Sequence, residues 1–171
     1  MTITKLGTLL LSSLLLTACS SDDGSGDARF VVWGEEFIEQ GIEAAEFEDG
    51  WAVTFDHFYI VVGDVSLFGD GKSASLPNLT AFDLVQPGPQ TLGTLEGVDA
   101  GAWTDVGFRT PPATDAVTPG SAAGALDTMR SEGASIWVSG AATKDSVTKT
   151  FSWTFTGDTR YSGCVDQSRG Q

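Results

Sequence analysis

Histidine, cysteine and positive charge are all scarce in this chain. Its 171 residues include one His, two Cys and nine Lys+Arg against 23 Asp+Glu, a formal charge of −14. A single imidazole excludes any site that takes two or more histidines from this chain alone. Nine scattered cations form no basic stripe of the kind that phosphate recognition needs, so nucleic acid is excluded as a partner. The most apolar stretch, Leu6–Leu16, has 11 residues, well short of the ~20 that a membrane-crossing helix requires. The charged fraction is only 19% and the hydrophobic fraction 41%, which is the balance of a folding chain despite its acidity. The length suits one domain with an appendage.

The appendage comes first. Lys5 followed by the Leu-rich run LGTLLLSSLLL reads as the charged and apolar regions of an export signal. Leu16-Thr17-Ala18-Cys19 resembles the lipobox of bacterial lipoproteins, in which cleavage precedes the cysteine and its thiol takes a diacylglycerol. The resemblance implies a signal peptide over residues 1–18, palmitate-type acylation of Cys19 and anchoring to a lipid bilayer. Each buried CH₂ contributes about 0.8 kcal/mol, so several chains hold firmly. Ser20 in place of Asp after the cysteine favours the outer membrane, by analogy with Gram-negative sorting. Residues 19–27 then read as the lipidated Cys and a flexible Ser/Gly/Asp tether. Asp22, Asp23 and Asp27 lack the spacing of a calcium loop. Removing residues 1–18, whose only charge is Lys5, leaves 153 residues and a charge of −15. Such a domain is repelled by anionic headgroups.

Residues 28–171 read as one mostly β domain. ARFVVW (28–33) is β-prone. GEEFIEQGIEAAEFEDG (34–50) has helical spacing interrupted by Gly41, which predicts two short helical turns. WAVTFDHFYIVVGDVSLF (51–68) predicts one bent strand or two, kinked at Gly63. Asp70-Gly71 is a turn signal, and strands follow at 79–85, 90–95 and 102–110. Ser121 is placed to cap a helix over 122–131, with Gly133 just beyond it. Two strands flank Lys144-Asp145-Ser146. The second alternates Val147, Lys149, Phe151, Trp153 and Phe155 with hydroxyl residues, which predicts the aromatic side, Trp153 included, in the core. The pattern as a whole predicts an antiparallel β-sandwich or open barrel with one or two short helices.

Candidate chemistry is sparse. His57 sits mid-strand beside Asp56, and neighbours on a regular strand point to opposite faces, so the two cannot chelate one metal. His57 is the metal-ligand candidate, and its bland alternative is a structural or surface histidine. No Gly-x-Ser-x-Gly elbow offers it a nucleophile, so no catalytic residue is assigned. The acidic run Glu35–Asp49 has the oxygen ligands that calcium takes, or is simply a solvated face. Most of the five Trp residues are expected in the core. With Cys19 acylated, Cys164 is left without a partner in an oxidising compartment.

Several segments resemble a group of lipoproteins found in myxobacteria-like proteomes. They are Gly34-Glu35-Glu36-Phe37-Ile38-Glu39, Asp49-Gly50-Trp51 with Val53-Thr54-Phe55-Asp56, Thr143-Lys144-Asp145, Thr148-Lys149-Thr150-Phe151-Ser152-Trp153, and Asp158-Thr159-Arg160-Tyr161 with Cys164. Members of that group continue past the Tyr-x-x-Cys segment into strands with His and Asp residues, which implies that this chain is C-terminally shortened. More distantly, Gly101-Ala102-Trp103-Thr104-Asp105-Val106-Gly107-Phe108 resembles MbnP-like surface proteins, some of them associated with copper. Together with the leader, Cys19 and the β pattern, the resemblances point to a lipid-anchored, non-enzymatic cell-envelope protein with metal handling as an accessory role, copper by resemblance or calcium by the acidic run. The competing reading is a module that binds glycans or a protein partner, for which an exposed aromatic row among Trp33, Trp51 and Trp103 is the discriminating feature. A hydrolase would need paired carboxylates in a cleft, and no spacing here supplies them.

Overall fold

The computed structural model describes residues 24–164. The signal peptide expected over residues 1–18 and the expected lipidation site Cys19 lie outside the described residues, as does the segment after Cys164. What is described is mostly β, in two sheets with two short helices, the larger sheet curled into a half-barrel.

The smaller sheet pairs β1 (Ser25–Val32) antiparallel with β4 (Gln90–Asp99). Residues 25–27, read from sequence as tether, are therefore strand. The cause is pairing with a distant strand: the Asp27 carboxylate accepts the Gly97 N–H at 3.2 Å, and the Gly24 carbonyl accepts that of Ala100 at 2.6 Å. Between β1 and the next strand come α1 (Glu36–Glu39) and a 3₁₀ turn (Ala44–Glu46), the two short turns expected around Gly41.

The spine of the larger sheet is β2 (Ala52–Gly69), a single bent strand of 18 residues. It bulges between Gly63 and Val65, with Asp64 at φ +49. A Cβ on Gly63 would fall 2.0 Å from the Asn78 carbonyl oxygen, so only glycine lets the neighbouring strand this close. That neighbour, β3 (Lys72–Asp83), follows the Asp70-Gly71 turn, both residues at positive φ as a two-residue hairpin requires. It starts seven residues before the strand expected at Leu79. Its first half, KSASLPN, carries no apolar run, and Pro77 sits where the register to β2 is broken, the place a sheet tolerates proline.

Along its other edge β2 meets two strands end to end: β7 (Ile136–Lys144) pairs with Ala52–Ile60, and β5 (Asp105–Thr110) with Gly63–Phe68. Outside these, β8 (Val147–Phe155) pairs with β7 and β9 (Thr159–Cys164) with β5. A short β6 (Val117–Pro119) runs parallel to β3. Strands β6 and β9 have no signature in the sequence, one being three residues long and the other polar.

Successive residues of β2 enter different cores, as strand alternation dictates. On the front, Val62 and Val65 pack with Phe82, Leu84 and Leu92, against Phe30 and Val32 of β1. On the back, Val61 and Ala81 pack with Val117, Leu126 and Met129. The back is closed by α2 (Leu126–Glu132), which begins after Ala125 without a side-chain cap. Ser121, expected to cap it, instead accepts the Asp83 N–H at 2.7 Å and donates to the Gln90 amide oxygen. Gly133 ends α2 at φ +61 in the left-handed conformation, as expected.

Candidate functional site

His57 lies on the back of β2, just after a register shift between Phe55 and His57 that takes up Asp56. Its partner is a carboxylate from the adjacent strand: His57 Nδ1–H donates to Asp83 Oδ2 at 2.9 Å. Asp83 closes β3 opposite Tyr59, and its side chain is only 7% exposed. Its other oxygen accepts the N–H groups of Phe58 (3.0 Å) and Val85 (3.2 Å). The imidazole stacks on Tyr59 at 4.8 Å, and Tyr59 leans on Trp137 at 5.6 Å. Burial, and then the Asp83 charge, push the Tyr59 hydroxyl above its ordinary pKa.

A buried carboxylate therefore fixes the ring through Nδ1 and leaves Nε2 as the free nitrogen of a half-exposed side chain. Carboxylate–histidine pairs of this kind orient metal-ligating imidazoles. The site offers one such ligand: among the described residues, no three His, Cys, Asp or Glu side chains group to hold an ion. The pairing partner is invisible in sequence, since Asp83 is 26 residues away and Asp56 is adjacent.

The front face presents a different surface. Phe151 on β8 lies opposite Gly140 of β7, which lies opposite Phe55 of β2. Because Gly140 carries no side chain, Phe55 and Phe151 meet edge to face across it at 6.1 Å. Trp153 stacks on Phe151 at 4.4 Å, and Tyr161 of β9 stacks on Phe108 of β5 at 4.5 Å. Trp153 is nevertheless 54% exposed and Phe155 51%. The core position expected for Trp153 is thus corrected. Alternation identifies the strand, but β8 lies at the rim of the sheet, beyond the reach of the β1–β4 layer, and both its faces are open.

Of the other tryptophans, Trp137 packs against the back core and none is fully buried. Trp33 is 55% exposed, and Trp51, Trp103 and Trp137 are half-buried. Trp51 lies under Lys149, whose Nζ is 5.2 Å from the ring centre. Trp103 donates its indole N–H to the carbonyl of Asp99 at the end of β4, and with Trp33 alone of the three exposed, the exposed row is built around Trp153 rather than from Trp33, Trp51 and Trp103.

The rim is pinned at one point. Arg109 of β5 forks onto Asp158, in the link between β8 and β9, and its third nitrogen donates to Asp64 at the β2 bulge (3.2 Å). Hydrogen bonds to Asp158 and then Asp64 raise the arginine further above its ordinary range, and the bond from Arg109 holds the Asp158 carboxyl below its own.

The acidic stretch borders an open depression of about 630 Å³ lined by Glu36, Glu43 and Glu46 with Phe37 and Phe47. Its described carboxylate bonds are structural, from the Gly88 N–H to Glu39 at 3.1 Å and from the Trp51 N–H to Asp49 at 3.5 Å. Cys164 ends β9 as an exposed free thiol. Compared with known protein families, curated proteins and solved structures, the chain matches none.

Proposed function

We propose that this chain is a lipid-anchored, non-enzymatic cell-envelope module that binds a glycan ligand on the aromatic rim of its larger sheet. The observation that carries the reading is the row Phe151, Trp153, Phe155 and Tyr161 on one face of the outermost strands, most of it half-exposed. Isolated apolar residues at a surface are ordinary, but a contiguous exposed patch marks an interaction site. Flat, rigid rings lose little entropy when a ligand stacks on them. Supporting the address are the signal-like leader, the lipobox around Cys19 and the lipoprotein resemblance. With Trp153→Ala and Tyr161→Ala combined, binding to purified peptidoglycan or soluble envelope polysaccharide is expected to weaken at least tenfold, while Trp33→Ala leaves it unchanged. An absence of saturable binding to every glycan tried, or binding indifferent to the double variant, removes the reading.

The His57–Asp83 pair favours a second reading, an accessory metal-handling role in which His57 Nε2 supplies one ligand to a copper site. Calorimetry with copper alone is then expected to show binding tighter than millimolar that His57→Ala abolishes. Weaker binding, or binding unchanged in that variant, sets the role aside.

A further inference from the structure

Among the described residues, the outer edge of β8 is an open strand edge. Its inner edge pairs with β7 in nine consecutive register positions without a bulge, while no described strand pairs with its outer edge. Exposed edges in natural sheets are usually blunted by proline, bulges or several charges. Strand β8, VTKTFSWTF, has no proline, no glycine and one charge, Lys149. Seven of the 23 carboxylates fall between Glu35 and Asp49, whereas those by β8 are Asp145 and Asp158 beyond its two ends and Glu132, which accepts from Thr154 on its back.

We infer that this edge is a two-fold interface with a second copy of the chain, β8 pairing antiparallel with β8 about an axis at Phe151. The sequence of the strand is self-complementary in that register, the one that uses all nine residues. On the front, Phe151 meets Phe151 of the second copy, Val147 meets Phe155, and Lys149 meets Trp153. On the back, Thr148 meets Thr154 and Thr150 meets Ser152. Cross-strand aromatic pairs and hydroxyl pairs are favourable, and a cation over an indole adds to them. No like charges are opposed. Lys149, already over Trp51 of its own chain, then stands between two indoles. The contact is isologous and closes, giving a dimer rather than a fibre. It continues the larger sheet through the axis and joins two aromatic rows side by side. The inference uses the same exposed row as the glycan reading but does not depend on it.

The test is disulfide trapping of the full chain in a Gram-negative envelope, with Cys164→Ser removing the native thiol. Phe151→Cys places each new thiol opposite its own mate and is expected to give a covalent dimer on mild oxidation. Val147→Cys places the mates eight residues apart along the pairing, about 27 Å, and is expected to give less than a tenth as much. Equal trapping at the two positions, or adducts of another protein's mass in place of the dimer, overturns the inference. Charge variants test the register independently of the cysteine at Phe151. Trp153→Lys sets a lysine against Lys149 twice per dimer and is expected to weaken self-association of the detergent-solubilised chain at least tenfold in sedimentation. Adding Lys149→Glu is expected to restore it, and no restoration counts against the register. Trapping without glycan binding overturns only the glycan reading, and glycan binding without trapping overturns only the dimer.

Discussion

Replacing Asp83 by alanine is expected to cost about 3–5 kcal/mol of stability, more than any other single change to a polar side chain here. The carboxylate is buried and accepts three hydrogen bonds, from His57 Nδ1 and from the backbone N–H groups of Phe58 and Val85. Alanine leaves two of those donors with no partner at the end of β3, and each orphaned buried donor costs about 1–3 kcal/mol. Its own backbone is held as tightly, the N–H by Ser121 and the carbonyl by the Gln90 amide at 2.9 Å. The segment therefore cannot move to find water. Asparagine keeps an acceptor for the two N–H groups and is expected to cost about 1–2 kcal/mol. His57→Ala removes one bond from a half-exposed ring and is expected to cost about 1 kcal/mol. Urea unfolding followed by tryptophan fluorescence ranks the three, and an Asp83→Ala midpoint no lower than that of His57→Ala would refute the account.

A loss of similar size is expected at Met129. It is fully buried, the largest such side chain among the described residues, and joins α2 to the back of β2 and β3. Met→Ala in a core costs about 2–5 kcal/mol, depending on how far the surroundings collapse. Here several neighbours are themselves alanines, Ala81, Ala113, Ala122 and Ala134. They have no side chain able to swing into the space, which puts the expected cost at about 3–5 kcal/mol. In a domain whose total stability is typically about 5–15 kcal/mol, that is a large share. Met129→Leu conserves volume and is expected to cost less than about 1.5 kcal/mol. A calorimetric melt of the two variants checks the contrast. Equal melting temperatures would mean that α2 is not held by this side chain.

Legibility in the sequence followed the range of the interaction. The long apolar run of β2, the hairpin turns and the two helical turns around Gly41 were readable because each is set by residues within a few positions. The bulge at Gly63 was readable for the same reason. The polar first half of β3 was not, because only its hairpin with β2 makes it strand. Ser121 had the right residue type for a cap, but the Asp83 N–H, 38 positions away, captured its hydroxyl. Trp153 shows the limit most clearly. Period-two alternation records that a strand exists, whereas burial of a face depends on whether another layer lies over it. The same holds at the candidate sites. His57 could be singled out as the only imidazole, yet its partner Asp83 and the Arg109 bracket join positions 26 to 49 residues apart.

The end-to-end arrangement on the flank of β2 also bears on the order of events in folding. The first half of the spine finds its strand partner on that side only in residues 136–144, so that Ala52 waits for Thr143. Closing a loop of that length comes before any reward from the pairing, and topologies rich in distant pairings fold slowly. A polypeptide leaving the ribosome would hold the Phe55–Phe58 segment without its mate until most of the domain had been synthesised. Until then its aromatic side chains stay open to wrong partners, the hazard that distant pairing brings to a long nascent strand.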